Sequence, residues 1–268
     1  MRSNSWQVTS VRGVVSSVES EWLKLRSQTS TFVAWGIFIL LGAGFGALAG
    51  WSTHHQWATL HSVQRATFNP LLTSLSGISL GPLALGGLAV GFITNEFSNG
   101  CLQGTLLAVP KRARLVVSKI VVLALPVAVL ALATNYAAVF AFNATIRLTG
   151  ERVALGSAIV NRSLLLGALY MALAVIFAFA MGLVIRRTAL AVSLFIGFYL
   201  VIPIIVQLFP WHWLHAVMPY MLGSLGGSMM GIATPGTGLN VWVATGLLGL
   251  YTGTLATLGV LKLQRTSL

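Results

Sequence analysis

Asn95–Ile120 reads NEFSNGCLQGTLLAVPKRARLVVSKI, and its contrast with the flanking sequence decides the fold. Residues 71–94 before it and 115–142 after it are apolar or small almost throughout. Between them, the carboxylate of Glu96 is followed by glycines and small polar residues, Pro110 breaks the pattern, and Lys111, Arg112, Arg114 and Lys119 close it. About 20 apolar residues cross the hydrocarbon core of a bilayer. A polar, cationic link between two runs of that length marks a chain that leaves the membrane and re-enters it.

Composition agrees. The chain has 268 residues, 56% hydrophobic and 7% charged, with a mean hydropathy of +0.88. A soluble domain carries roughly 25% charged residues and keeps about a quarter of its unfolded surface exposed at this length. So few charges cannot cover that surface, and lipid must solvate most of it. The net charge of +12 would suggest a nucleic-acid partner in a soluble protein. Here the cations flank apolar spans, as membrane insertion requires, and no nucleic acid is expected. The single cysteine, Cys101, excludes an internal disulfide and a CxxC metal site.

Working outward from 95–120, six spans are predicted at about 31–51, 71–94, 115–142, 164–185, 189–209 and 239–261. The third is long enough to tilt or to kink at Pro126. Residues 1–30 lack the short apolar core and cleavage site of a signal peptide. Within them Val11, Val14, Val15, Val18, Trp22 and Leu25 recur at spacings of three and four, which predicts an amphipathic helix in the interface with Trp22 at headgroup level. The expected organisation is an N-terminal segment 1–30, a six-span domain 31–261 and a tail 262–268.

Orientation follows from the 16 cations. One set of span ends holds Arg2, Arg12, Lys24, Arg26, Lys111, Arg112, Arg114, Lys119, Arg186, Arg187, Lys262 and Arg265; the other holds Arg65, Arg147, Arg152 and Arg162. The asymmetry predicts that both termini are cytoplasmic and that Arg186-Arg187 is a tight cytoplasmic turn. On the outer side, Pro210–Gly238 reads PWHWLHAVMPYMLGSLGGSMMGIATPGTG. Its aromatics and prolines predict short re-entrant or interfacial helices, suited either to an outer gate or to a packed cap. Asn143-Ala144-Thr145 and Asn161-Arg162-Ser163 are formal sequons to which no role is assigned.

Packing signals lie inside the spans. Gly42, Gly46 and Gly50 form one ladder, and Gly249 and Gly253, with Gly246 a turn earlier, form another. Glycines four residues apart let helix backbones approach closely, and a contact within the chain is favoured over a dimer seam. Span two carries Ser74, Ser76, Gly77, Ser79, Gly81, Gly86, Gly87 and Gly91, with Pro82 midway. It either packs tightly or faces a water-accessible path, and span five, with Pro203 and Gln207, allows the same two readings.

Absences narrow the function. No Asp, Glu, Lys or Arg lies mid-span, which disfavours an ion-coupled carrier. No GxxxxGK[ST] occurs, so the chain does not hydrolyse nucleotide by itself. His54, His55, His61, His212 and His215 fall at or beyond the outer edges, and His212 and His215 beside Trp211 and Trp213 read as interfacial. No HExxH occurs. The expectation is a chain with no catalytic residues, no metal and no cofactor of its own.

Glu96 lies at the cytoplasmic end of span two, where a carboxylate needs a partner, and Lys111, Arg112, Arg114 and Lys119 are the nearest cations in sequence. Leu102, Leu106 and Val109 share one helical stripe, and Asn99 and Gln103 another. That pattern predicts a short helix along the membrane, ended by Pro110. The order Glu96, Gly100, Thr105, Leu106-Leu107, Pro110, Arg112 and Lys119 resembles the pattern of type-2 ABC transporter permeases. The resemblance extends to the layout: a basic amphipathic N-terminal helix containing Glu21-Trp22-Leu23-Lys24-Leu25, six spans, and a Pro/Gly-rich outer segment before the last. Cys101 stands where the family commonly has Thr, and Gly104 stands beside Thr105.

The resemblance implies an all-α permease subunit of a bacterial exporter, multi-pass in the cell membrane. It further implies that the helix between spans two and three is a coupling helix, with Glu96, Gly100, Thr105, Leu106, Pro110, Arg112, Arg114 and Lys119 at or near its ATPase contact. The partners implied are a cytoplasmic ATP-binding subunit, which holds ATP and magnesium, a second permease copy, with a homodimer favoured, and membrane lipid. Spans two and five would line the path. The small, apolar, sparsely charged spans suit an amphipathic or hydrophobic cargo such as an antibiotic, an antimicrobial peptide or a lipid. The alternative is a stand-alone membrane immunity, sensor or scaffold protein without transport.

Overall fold

A computed structural model describes residues 22–23, 29–59, 61–98, 112–147, 152–209, 216–232 and 238–265. Among these the elements are helical. In chain order they are α1 (Thr29–Gln56), α2 (Ser62–Ala66), α3 (Pro70–Ser74), α4 (Gly81–Ser98), α5 (Arg112–Ile146), α6 (Ala158–Ile185), α7 (Thr188–Ile196), α8 (Ile202–Leu208), α9 (Leu222–Met230) and α10 (Val241–Arg265). Six stretches are long and apolar enough to cross a membrane: Thr29–Thr59, Ser76–Phe97, Leu115–Ile146, Ala158–Ile185, Thr188–Leu208 and Val241–Arg265. The chain is an all-α integral membrane protein.

Several boundaries depart from the hydropathy reading. Span two enters through α3 and a 3-10 turn, Ser76–Leu80, before α4 begins at Gly81-Pro82. Pro82 therefore sits in the first turn of a helix, where its missing N–H costs nothing, rather than midway along one. Asn69 caps α3, accepting 3.1 Å bonds from the Leu71 and Leu72 amides, with Pro70 at the first helical position. Helix α5 runs unbroken through Pro126. Span five is α7 and α8 joined by a π-helical turn, Gly197–Val201. Helix α10 continues to Arg265, so Lys262 belongs to the last span and not to a separate tail.

Helix α6 is the centre of the bundle, packing against α4, α5, α7, α9 and α10. Its buried residues, from Ser163 to Leu183, fall on several faces, mostly Ala, Gly, Phe and Leu with Tyr170 among them. Helix α1 lies along α5, and the glycine ladder explains how closely. A Cβ on Gly46 would stand 2.5 Å from the Ala138 carbonyl oxygen, one on Gly42 2.4 Å from Thr134 Cγ2, and one on Gly50 2.3 Å from Thr145 Oγ1. The Thr145 hydroxyl also donates to the Ala47 carbonyl at 2.9 Å. By contrast, nothing lies within 4 Å of a Cβ on Gly246, Gly249 or Gly253; that ladder on α10 meets no other part of the described chain.

At the end of the bundle opposite Lys119, α9 packs in among the helices. Gly226 rests on the Tyr170 ring and Met230 Sδ lies 3.0 Å from a Cβ placed on Gly167. Tyr170 is twelve residues, or about 18 Å, along α6 from its Ala158 end. Helix α9 thus sinks into the bundle as its mixture of small and apolar residues predicts, and Leu222, Leu225, Met229 and Met230 are buried there. Trp22 lines an apolar groove with Trp35, Val121, Leu125 and Val129; the rest of the predicted amphipathic segment lies outside the described residues.

Candidate functional site

Helix α4 ends at Ser98 and α5 begins at Arg112. At the base of the link between them, Lys119 Nζ donates to Glu96 Oε1 at 2.6 Å across 23 residues of sequence. The Lys119 side chain is 0% exposed and that of Glu96 12%. The ammonium also stands 5.0 Å from the centroid of the Phe92 ring, one turn before Glu96 on α4. Phe92 and Glu96 are four apart and therefore share a helix face, and Lys119 reaches onto that face from the second turn of α5. A charge so deeply buried is tolerable only when paired, and the pair ties α5 to α4, which otherwise are joined through α1 and α6.

The same end of α4 is held from two more sides. The Thr94 hydroxyl donates to the Val90 carbonyl at 2.9 Å and accepts from the Thr188 hydroxyl at 2.7 Å, joining span five to span two. The Arg186 guanidinium lies 5.3 Å from the centroid of the Phe97 ring. Arg186 closes α6 in the left-handed region, φ 62° and ψ 11°, its amide bonding the Gly182 carbonyl at 2.9 Å. That backbone costs a non-glycine residue on the order of 1–2 kcal/mol. Its side chain compensates, because Arg186 Nη2 donates to the Lys262 carbonyl at 3.1 Å and Lys262 Nζ donates to the Val184 carbonyl at 2.8 Å. Each cation caps the other helix's C-terminal carbonyls, where a positive charge is favoured by the helix dipole. Phe92, Thr94, Glu96 and Phe97 thus form a hub gripped by spans three, four and five, with span six attached through Arg186.

Of the residues singled out in the sequence, Glu96 and Lys119 are brought together. Gly100, Thr105, Leu106 and Pro110 lie outside the described residues. Arg112 and Arg114 fall in the first turn of α5, and their side chains lie outside what is described. Thr94, Phe97, Arg186, Thr188 and Lys262 were not singled out as contacts. Gly182 signals their neighbourhood: a Cβ there would meet Ile93 Cγ2 at 2.7 Å, so its small size lets α6 close on α4.

A second cluster lies away from the Lys119 end of the bundle. The Tyr199 hydroxyl, on the π-helical turn, donates to the Ser79 carbonyl in the 3-10 turn, and the Tyr170 hydroxyl reaches Tyr199 at 3.4 Å. A 3-10 entry and a π-turn both disturb the regular hydrogen-bond ladder, and these hydroxyls bridge the two disturbances. Gly77-Ile78-Ser79-Leu80-Gly81 in that entry also matches GxSxG. The nucleophile elbow needs a strand-to-helix turn; here Ser79 is in a 3-10 turn and its hydroxyl donates to the Ser76 carbonyl at 2.6 Å. The match is one of spacing only.

The six spans define a multi-pass membrane protein. The profile of the ABC-2 family transporter proteins matches residues 17–204, which include the hub. The chain belongs to this family and is a membrane permease of an ABC transporter. No curated protein matches it.

Proposed function

We propose that the chain is one half of an ATP-driven exporter for an amphipathic or hydrophobic compound, and that the link 99–111 is its docking point for the ATP-binding subunit. The observation that carries this reading is the buried Glu96–Lys119 pair at the base of that link. A link that transmits force must be clamped where it joins the bundle, and this one is clamped to the hub that spans three, four and five hold. In this mechanism, ATP binding closes two ATPase subunits, which carry the magnesium nucleotide. Their clefts draw two copies of the link together, and α4 passes the displacement through Thr94–Thr188 to span five and through Phe97–Arg186 to spans four and six.

Spans two and five then line the path between two permease copies. Support comes from the α4 face bearing Gly87 and Gly91, where nothing lies within 4 Å of an added Cβ, and from the exposed Val201, Ile202 and Ile205 of span five. Small and aliphatic walls accept apolar cargo without desolvating a charge. Charge asymmetry supports cytoplasmic termini, and outward transport rests on the family resemblance.

The test is Glu96→Ala. The expected result is a chain that still enters the membrane but loses at least tenfold in ATP-dependent export in vesicles, or fails to retain the ATP-binding subunit on purification. Export at the level of the unaltered chain, with the subunit retained, rejects the role of the clamp.

A further inference from the structure

Spans two and five are each interrupted beside a proline, and a side chain joins the two interruptions. In span two, Pro82 follows the 3-10 turn Ser76–Leu80. It has no N–H to give the Ser79 carbonyl three residues back, as a continued 3-10 ladder would require. In span five, Pro203 has no N–H to give the Tyr199 carbonyl four residues back. There the Ile202 amide bonds the Gly197 carbonyl, five residues back, and makes the π-turn. The Tyr199 hydroxyl on that turn donates to the Ser79 carbonyl, with the Tyr170 hydroxyl behind it at 3.4 Å.

The two halves of span five are held unequally. Helix α7 is fixed: the Thr188 hydroxyl bonds Thr94 at 2.7 Å, and Ala191 and Phe195 are buried. A Cβ on Gly86 of α4 would stand 2.4 Å from Phe195 Cε1. Helix α8, beyond the π-turn, buries only Val206 and packs chiefly on the turn from which it continues. Tyr199 sits at the boundary, its ring stacked on that of Phe195 with centroids 6.0 Å apart.

We propose that the π-turn is a hinge on which α8 swings against the fixed α7, and that the Tyr199 hydroxyl on the Ser79 carbonyl is its latch. Helices bend at prolines and at π-turns, and span five has both side by side. The proposal rests on the reading that spans two and five line the transport path, and it makes Tyr199 a positioning residue for that path. The Thr94–Thr188 bond carries a displacement of α4 to α7, and the latch decides whether α8 follows. Released, α8 moves the exposed Ile202 and Ile205 and changes the width of the path they line.

The test is a distance measurement on the full chain in phosphatidylcholine nanodiscs, without nucleotide or cargo. In a Cys101→Ser background, spin labels on Leu208→Cys of α8 and Phe140→Cys of α5 follow the swinging half. Labels on Leu194→Cys of α7 and Phe140→Cys follow the fixed half; all three side chains are exposed. One hydroxyl–carbonyl bond biases a two-state equilibrium about fivefold. The expected result is two distance populations for the Leu208 pair, the minor one enriched about fivefold by Tyr199→Phe, and one unchanged population for the Leu194 pair. Pro203→Ala, which returns an N–H to the Tyr199 carbonyl, should abolish the minor population. A Leu208 distribution that is the same with and without the Tyr199 hydroxyl overturns the proposal. So does a Leu194 distance that shifts together with Leu208, which makes span five one rigid rod, and so does a minor population that survives Pro203→Ala. Failure of the exporter reading would leave these distances as they are, and failure of the hinge would leave the export assay on Glu96→Ala as it is.

Discussion

Lys119 lies in the second turn of α5 with its ammonium wholly buried against Glu96 and Phe92. A pair of this kind contributes little net stability compared with an apolar pair of the same volume, but removing one partner strands the other charge. The two effects separate experimentally. Lys119→Met alone should destabilise the purified chain by about 3–5 kcal/mol, whereas Glu96→Leu/Lys119→Leu should recover most of that loss. Both are read by chemical denaturation in detergent. If the single variant costs no more than the double, the buried pair is not what holds α5 to α4. The need of Glu96 for a partner was legible in the sequence; the identity of the partner was not. Lys111, Arg112 and Arg114 are closer in sequence, but a partner is chosen by the helix face presented. Helices α4 and α5 each pack on α1 and α6, and that shared packing brings Lys119 onto the face of Phe92 and Glu96. Arg186 was illegible for a different reason, since a left-handed C-cap announces itself when it is glycine and here it is an arginine.

Helices α1 and α5 show what small residues do at the scale of whole elements. At Gly46 the obstacle to a side chain is the backbone carbonyl of Ala138, 2.5 Å from an added Cβ, and it cannot rotate away as the end of a flexible side chain would. Gly46→Ala should push α1 off α5 and cost about 1–3 kcal/mol, as overpacking does. Gly249→Ala, with nothing within 4 Å of the new carbon, should change the stability of the isolated chain by no more than about 0.5 kcal/mol. Thermal unfolding of the two variants checks the contrast, and equal shifts would contradict it. The two ladders look alike as sequence because spacing records which residues share a face, not what that face meets. Hydropathy likewise found six spans, and the helices run on past several of their ends. Asn161–Ser163 and Lys262–Arg265 are helical although largely polar or charged, since the backbone ladder continues past the residues that suit lipid. The π-turn at Gly197–Val201 lies inside an apolar run, so no break in composition reveals it, whereas the serines and glycines of Ser76–Leu80 mark the 3-10 entry without saying which conformation they adopt.

Across the whole molecule, the basic end and the opposite end are built for different work. At the basic end the polar contacts join helix to helix: Glu96 to Lys119, Thr94 to Thr188, Arg186 to Lys262. At the other end several of them tie loops and short helices down, as when Asn143 exchanges two 2.9 Å bonds with Val153 and Asn69 caps α3. An end that ties its spans together suits force applied from outside the bilayer, whereas an end of loops and short helices suits opening and closing. This assignment requires the basic end to face the cytoplasm, where the ATP-binding subunit has its nucleotide. The sequence argument for that orientation is the division of twelve cations against four. The single cysteine makes the orientation directly measurable. In a Cys101→Ser chain, Val63→Cys on the exposed helix α2 should react with a membrane-impermeant maleimide on intact cells. Gln264→Cys, near the end of α10, should react only after the cells are opened. The reverse pattern would put the hub on the side without nucleotide and remove the physical basis for docking at 99–111, whatever the family.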